Sequence, residues 1–261
     1  MASNYNIMYL YIYDSFLNNK KYSNVLIRIE NRLADLDIKG KICRLNILKN
    51  MKEVIEDGVN QGIKTVVAVG DDLTFSKVVN IIAELDITLG LIPVNGKSKI
   101  AQILGIPNDE YACEVLAQRL IKRLDLGKIN QQYFIDSATI ASPAVTLEFD
   151  NYKISPISKN SLVSLCNLGF LTDNQTIYKE RLSNPADGFL EAVVAPLKGG
   201  IFNKLKGAVK QSIFPFTKIK ITSQGEPATI IIDQQAVSKT PAEVTVAPKK
   251  LKVIVGSKRL F

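Results

Sequence analysis

The sequence predicts an α/β plus β protein: an N-terminal doubly wound parallel sheet followed by a C-terminal antiparallel β-sandwich. Three observations predict it. As far as about residue 125, β-branched apolar runs alternate with amphipathic helical repeats, the βαβα order of a parallel sheet covered by helices. From Tyr133 onward, helical periodicity gives way to short alternating runs separated by turns. The length, 261 residues at 46% hydrophobic and 22% charged, gives each half enough apolar material for its own core. The expected domains are residues 1–125 and 126–261.

Taken in order, Ile7–Tyr13 (IMYLYIY) is a strand by composition, and Asp14–Tyr22 is a polar loop at its end. Asn24–Leu36 is helical, with Val25, Leu26, Ile29 and Leu33 on one face. Ile42–Leu48 is a strand, and Met51–Gly58 a helix with Gly62 ending the next turn. Thr65–Val69 is a buried strand followed by the sharp loop Gly70–Thr74. A helix then carries Phe75, Val78, Val79, Ile82 and Ala83. Thr88–Val94 repeats the unit, with the loop Asn95-Gly96-Lys97 and a short helix capped by Ser98 and stopped at Gly105-Ile106-Pro107. Asp109 caps a helix reaching about Leu124. The later β-runs are Tyr133–Ile135, Ala144–Phe149, Val163–Asn167, Phe189–Ala195, Thr217–Thr222, Thr229–Ile232, Glu243–Ala247 and Leu251–Val255. Between them, Leu197–Phe216 reads as a basic amphipathic helix. Ile201, Phe202, Leu205, Val209 and Ile213 recur at helical spacing, with Lys204, Lys206 and Lys210 beside them. Such a helix suits either an anionic bilayer surface or packing on the sandwich with a basic outer face.

Composition excludes several chemistries. There is no histidine, which removes Ser–His and Cys–His hydrolases and histidine metal sites. Acid–base work would fall to carboxylates, Lys or Tyr. Cys43, Cys113 and Cys166 are far apart and in apolar contexts, as reduced core thiols are. No apolar run reaches 18 residues and the N-terminus lacks a signal-peptide pattern, so the expected location is cytoplasmic, with peripheral membrane attachment as its variant. The net charge is +8. Residues 127–261 hold 17 basic and 10 acidic residues, a balance of +7, which suggests anionic partners. These basic residues are not interleaved with an aromatic platform, so nucleic acid is not expected among them.

The stretch Thr65–Pro107 carries the chemistry. A strand, a Gly loop and a helix place backbone N–H groups and a positive dipole end at a strand's C-terminal edge, where phosphates bind. Two such loops on neighbouring parallel strands can clasp one nucleotide. The other reading is that each loop is only a tight βα turn.

The residues themselves resemble a family. Gly70-Asp71-Asp72-Leu73-Thr74-Phe75-Ser76-Lys77-Val78-Val79-Asn80 and Gly90–Pro107 are similar to the GGDGTxxEVxNG and GIIPxGTxNDFAxxLGIP blocks of the diacylglycerol kinase catalytic family, which includes soluble bacterial lipid kinases and sphingosine kinases. Gly70, Asp72, Thr74, Val78 and Asn80 match. Asp71 and Leu73 replace glycines, Lys77 replaces the Glu, and Asn95-Gly96 and Ser98-Lys99 stand for the GT and ND. The family's Asn-Pro-x-Ser-Gly loop is absent after the first strand, where Ser15, Lys20 and Lys21 lie instead. Downstream, Asp125–Asn130 with Tyr133-Phe134 resembles the family's crossover, and Val163–Asn167 its central strand. Asp187–Glu191 resembles a block with magnesium-linked residues, and Ile231–Gln235 the xIDGE turn. Asn167–Thr172 also has the letters of a NAD kinase fragment, but far from Gly70–Thr74, and is taken as coincidence.

The resemblance implies an ATP-dependent lipid kinase using Mg2+ and acting on the hydroxyl of a lipid or lipid-like acceptor. On that reading Gly70, Asp71, Asp72, Thr74, Asn95, Gly96, Lys97 and Ser98 hold the nucleotide. Asp72 and Asp187 hold magnesium, and Asp72, Asp233 and Gln235 occupy the catalytic positions. Asp72 would act through water on the metal or orient the nucleophile. The family's base is the Glu of the DGE turn; here it is Gln235, whose amide accepts no proton, leaving Asp233 or Asp71 to substitute. The alternative is a catalytically impaired pseudokinase that binds nucleotide, lipid or a protein partner. Expected partners are a nucleotide, a lipid at an anionic membrane surface met by Leu197–Phe216, and a second copy of the chain in a homodimer.

Overall fold

The computed structural model describes residues 9–46, 48–94, 96, 98–142, 144–156, 161–169, 183–196 and 211–261. The chain divides into two units, residues 1–124 with 250–261, and residues 125–249. Residues 250–261, placed by sequence in the second domain, group with the first unit. Lys252 and Val253 pair in parallel with Thr88 and Leu89 there.

In the first unit, β1 (Tyr9–Tyr13), β3 (Thr65–Gly70) and β4 (Thr88–Pro93) are buried along their whole length. That is why they read as unbroken apolar runs, as strands covered on both faces do. With β2 (Gly40–Arg44) they form a parallel array in the order β2-β1-β3-β4. The expected strand Ile42–Leu48 starts two residues earlier and ends four earlier, because its ladder on β1 opens at Gly40 opposite Tyr9 and closes at Arg44 opposite Tyr13. Leu48 is outside it and exposed.

Helices α1 (Ser23–Asp35), α2 (Met51–Asn60), α3 (Asp72–Ile82), α4 (Lys99–Leu104) and α5 (Ala112–Gln118) cover this sheet. Alternate residues of β1 face opposite ways. Tyr11 donates its hydroxyl hydrogen to Ile38 O just beyond α1, at 2.6 Å, whereas Leu10 lies against Gly58 of α2. On the tyrosine side, Arg28 joins α1 to Glu110, in the turn just before α5, at 2.8 Å, and Arg32 joins it to Glu114 of α5. The doubly wound arrangement expected from the sequence is present. All three cysteines are buried and unbridged, and burial pushes the Cys113 thiol up to about 12.

The helix expected from Asp109 to Leu124 is shorter. Asp109–Tyr111 is a 3-10 turn, α5 ends at Gln118, and Arg119 adopts φ 52°. The guanidinium of Arg119 donates to Tyr9 Oη at 2.9 Å and to Thr65 Oγ1 at 3.0 Å. Anchored on β1 and β3, the chain reverses and continues as β5 (Ile121–Ile129).

The second unit is the expected antiparallel sandwich. Its strands are β6 (Gln132–Phe134), β7 (Ser137–Ile140), β8 (Val145–Glu148), β9 (Lys153–Ile154), β10 (Ser161–Cys166), β11 (Leu190–Pro196), β12 (Ser212–Phe216), β13 (Lys218–Ser223), β14 (Thr229–Ile232), β15 (Ala236–Lys239) and the part of β16 (Ala242–Ile254) before Lys250. One layer runs β12-β11-β10-β7-β14-β15, and the other contains β16-β13-β8-β9. Period-2 burial sends Ile140, Leu147, Val163, Leu165, Ile221 and Ile230 into a shared core. The basic amphipathic helix expected over Leu197–Phe216 falls, for residues 197–210, outside the described residues. Its last part is not helical: Ser212–Phe216 is β12, paired antiparallel with β11 from Leu190 opposite Phe216. Pro215 is tolerated there because, among the described residues, β12 ends its layer and an outer strand can lack one ladder donor.

Candidate functional site

The order β2-β1-β3 puts a topological switch point at the C-terminal ends of β1 and β3, where α/β sheets bind ligands. Asp14 follows β1 and donates its amide hydrogen to Val69 O at 3.1 Å. Gly70 ends β3, and its carbonyl accepts from Val94 N–H at 2.8 Å, so the loops after β3 and β4 run side by side.

The loop after β3 is tighter than the sequence suggested. Helix α3 starts at Asp72, and Asp71 is its N-cap. Asp71 Oδ1 accepts the Thr74 amide at 2.9 Å, and Thr74 Oγ1 accepts the Asp71 amide at 3.3 Å, a reciprocal capping box. The same hydroxyl is 3.0 Å from Asp71 Oδ1 and 2.8 Å from Asp14 Oδ2, so its single proton is shared between two carboxylates. Gly70 is required by this packing: a Cβ there would lie 2.4 Å from Thr74 Oγ1.

Asp72 performs the same service for the neighbouring helix. Its carboxylate accepts from Ser98 Oγ, from the Lys99 amide at 2.9 Å and from the Ile100 amide at 3.4 Å. Ser98 Oγ takes the Ala101 amide at 2.9 Å. Of the expected nucleotide contacts, Asp71 and Thr74 therefore form one hydrogen-bonded set with Asp14, Asp72 and Ser98 form a second at the start of α4, and Gly70 packs against Thr74. Gly96 lies two residues before Ser98 with φ 103°. Asn95 and Lys97 lie outside the described residues.

A polyphosphate needs unoccupied N–H donors and positive charge. At this edge the Thr74, Lys99, Ile100 and Ala101 amides are already taken, and Asp14, Asp71 and Asp72 bring three carboxylates. Leu73, where the resemblance has glycine, adds an exposed side chain to the approach. Among the described residues no set of three His, Cys, Asp or Glu is arranged to hold a metal ion. Among the described residues, this set of engaged amides and carboxylates does not fit ATP phosphates with Mg2+.

The remaining candidates lie in the second unit. Asp187 is exposed, and its Oδ1 accepts the Phe189 amide at 3.0 Å, closing a turn on itself. The next amide, Gly188, donates to Asp125 Oδ2 at 2.7 Å. Asp125 is buried and also accepts the Lys249 amide at 2.6 Å, a role that sequence reasoning missed. The only trace of it in sequence is an Asp opening the run Asp125-Leu126-Gly127. Asn167, fully buried, donates through Nδ2 to Asp125 O at 2.9 Å and Ile135 O at 3.0 Å.

Asp233 is 4% exposed. Its carboxylate accepts the amides of Ile135, Asp136 and Ser137 at 3.0, 3.0 and 3.1 Å. Burial pushes its carboxyl up to about 6, the charge of Asp136 adds to this, and the three amides oppose it. Both oxygens are thus committed to fastening the β14–β15 hairpin to the start of β7. Gln235, half-buried, closes that hairpin through its amide to Ile232 O at 3.0 Å.

A doubly wound α/β unit with paired strand–loop–helix crossings, continued by an antiparallel sandwich, is a two-unit architecture shared with solved proteins. Residues 9–129 match the profile of the Diacylglycerol kinase catalytic domain. The Diacylglycerol kinase of Bacillus subtilis (strain 168) is 39% identical over 77 residues, 28% of this chain and 25% of that protein. The Diacylglycerol kinase of Staphylococcus aureus (strain Newman) is 35% identical over 86 residues, 32% of this chain and 27% of that protein. The matched segment thus spans about a quarter of the length of these curated relatives. A crystal structure of a diacylglycerol kinase from Bacillus anthracis str. Sterne superposes with a TM-score of 0.77 at 17% identity, covering 97% of this chain and 98% of that one. At that identity the likeness establishes the fold.

Proposed function

We propose that the chain is a lipid-kinase-family protein that binds a lipid or lipid-like hydroxyl compound without transferring phosphate to it from ATP. The family match supports the ligand class, and the overall charge of +8 supports contact with an anionic surface. The observation that carries the loss of turnover is Asp72. It matches the family's aspartate, yet both its oxygens are engaged at the start of α4 by Ser98 and the Lys99 and Ile100 amides. Gln235 at the position of the expected base adds to this, since a carboxamide takes no proton at neutral pH, and Asp233 is spent on three amides.

A second reading, an active lipid kinase, is favoured by the retained Gly70, Asp72 and Thr74 frame and by the Asp187-Gly188 turn. One experiment separates them: radiolabelled ATP with Mg2+ over a panel of diacylglycerol and other hydroxyl lipids, with vesicle co-sedimentation in parallel. The proposal expects lipid binding and no labelled product. Labelled lipid whose formation stops in Asp72→Ala would establish the second reading.

A further inference from the structure

We infer that Asp71 is the residue that shuts the phosphate site, its carboxylate standing at the start of α3 where a phosphate oxygen would otherwise bind. This rests on the proposed loss of turnover and names the side chain behind the loss of nucleotide. Helix α3 is 11 residues long, so its first turn presents oriented N–H groups and a positive dipole end. An anion docked there would accept the Thr74 amide at about 2.9 Å, the usual N–H···O distance. Asp71 Oδ1 is 2.9 Å from that nitrogen.

The plug is held from three sides. Thr74 Oγ1 lies 3.0 Å from Asp71 Oδ1, the Asp71 amide lies 3.3 Å from that hydroxyl, and Asp14 Oδ2 fixes the hydroxyl from β1 at 2.8 Å. A phosphate arriving at this edge must therefore displace a carboxylate from a closed capping box and sit beside a second one. The family has glycine at position 71. Glycine leaves the amide open and is itself an acceptable N-cap, so removing the side chain at that position opens the site with little loss of fold.

The test uses the full chain and two probes, sodium tripolyphosphate and Mg-ATP, titrated calorimetrically into the parent, Asp71→Gly and Asp71→Ser. The serine variant keeps a cap and removes the charge, and carries the test where the glycine variant fails to fold by circular dichroism. The parent is expected to show no saturable one-to-one binding at millimolar probe, and the variants at least tenfold tighter binding. Parent binding equal to that of a folded variant overturns the inference, as does a folded variant that gains nothing. If the parent binds Mg-ATP but yields no lipid product, the inference fails and the proposed function stands. If the parent phosphorylates lipid from ATP, its phosphate site is open, and the proposed function and the inference fail together.

Discussion

Replacing Thr74 with valine removes one hydroxyl from a fully buried side chain and keeps its shape. The lost group sits 2.8 Å from Asp14 Oδ2, 3.0 Å from Asp71 Oδ1 and 3.3 Å from the Asp71 amide. Its proton makes one hydrogen bond to a charged acceptor, a contribution of about 1.5–3 kcal/mol. Its lone pair satisfies the Asp71 N–H, and losing that acceptor adds about 1 kcal/mol. Thr74→Val should therefore cost about 2–4 kcal/mol. A chain of two units need not unfold in one step. The suitable assay is hydrogen exchange by mass spectrometry in increasing urea, read on peptides spanning β3 and α3. Asp14→Asn should cost less in the Thr74→Val background than alone, because the two side chains share one contact. A Thr74→Val stability within about 0.5 kcal/mol of the parent, the range of an ordinary surface change, would refute the shared-proton network.

Other outcomes follow from the same geometry. The Asp233 carboxyl titrates near 6 in the folded chain against an ordinary 3.8, so folding takes up a proton between those values. The stability this group contributes is complete below about pH 4 and is lost as the pH rises through 6, by about 3 kcal/mol. Asp233→Asn should lose that slope in urea titrations of the second unit between pH 4 and 7, and an unchanged slope would reject the assignment. Gly70→Ala should cost about 1–3 kcal/mol by overpacking against Thr74, and Thr74→Ala should recover part of it; additive losses would contradict the contact. Asn167→Asp faces an added carboxylate toward the Asp125 and Ile135 carbonyls. It should destabilise the second unit by more than about 3 kcal/mol, and a parent-like melting curve would show that the amide hydrogens are dispensable.

How far the sequence could be read depends on where each residue finds its partner. Strands β1, β3 and β4 were legible because burial on both faces leaves an unbroken apolar run. The end of α5 was not, since Leu120–Leu124 continues in helix-compatible residues. The reversal is imposed by Arg119 reaching Thr65 and Tyr9, 54 and 110 positions away. The return of residues 250–261 to the first unit is likewise set by a distant parallel pairing, Lys252 with Thr88. At the candidate site, the resemblance pointed to the loops after β3 and β4, which run side by side where Val94 N–H meets Gly70 O. What it could not show is that Asp71 and Asp72 satisfy the helix starts themselves. Asp71 and Thr74 form a local capping pair, visible at a spacing of three once the helix start is known. The Asp72 partner Ser98 lies 26 residues downstream, and the amides bound by Asp233 lie 96 to 98 residues upstream.

The most direct measurement is a titration of the 15N-labelled parent chain with Mg-ATP, following the backbone amides of Thr74, Lys99, Ile100 and Ala101. With Asp71, Asp72 and Ser98 already accepting from these four groups, their resonances should stay in place to millimolar nucleotide. Saturable shifts of all four at stoichiometric nucleotide would mean that the carboxylates yield to phosphate, and would contradict the account at its base.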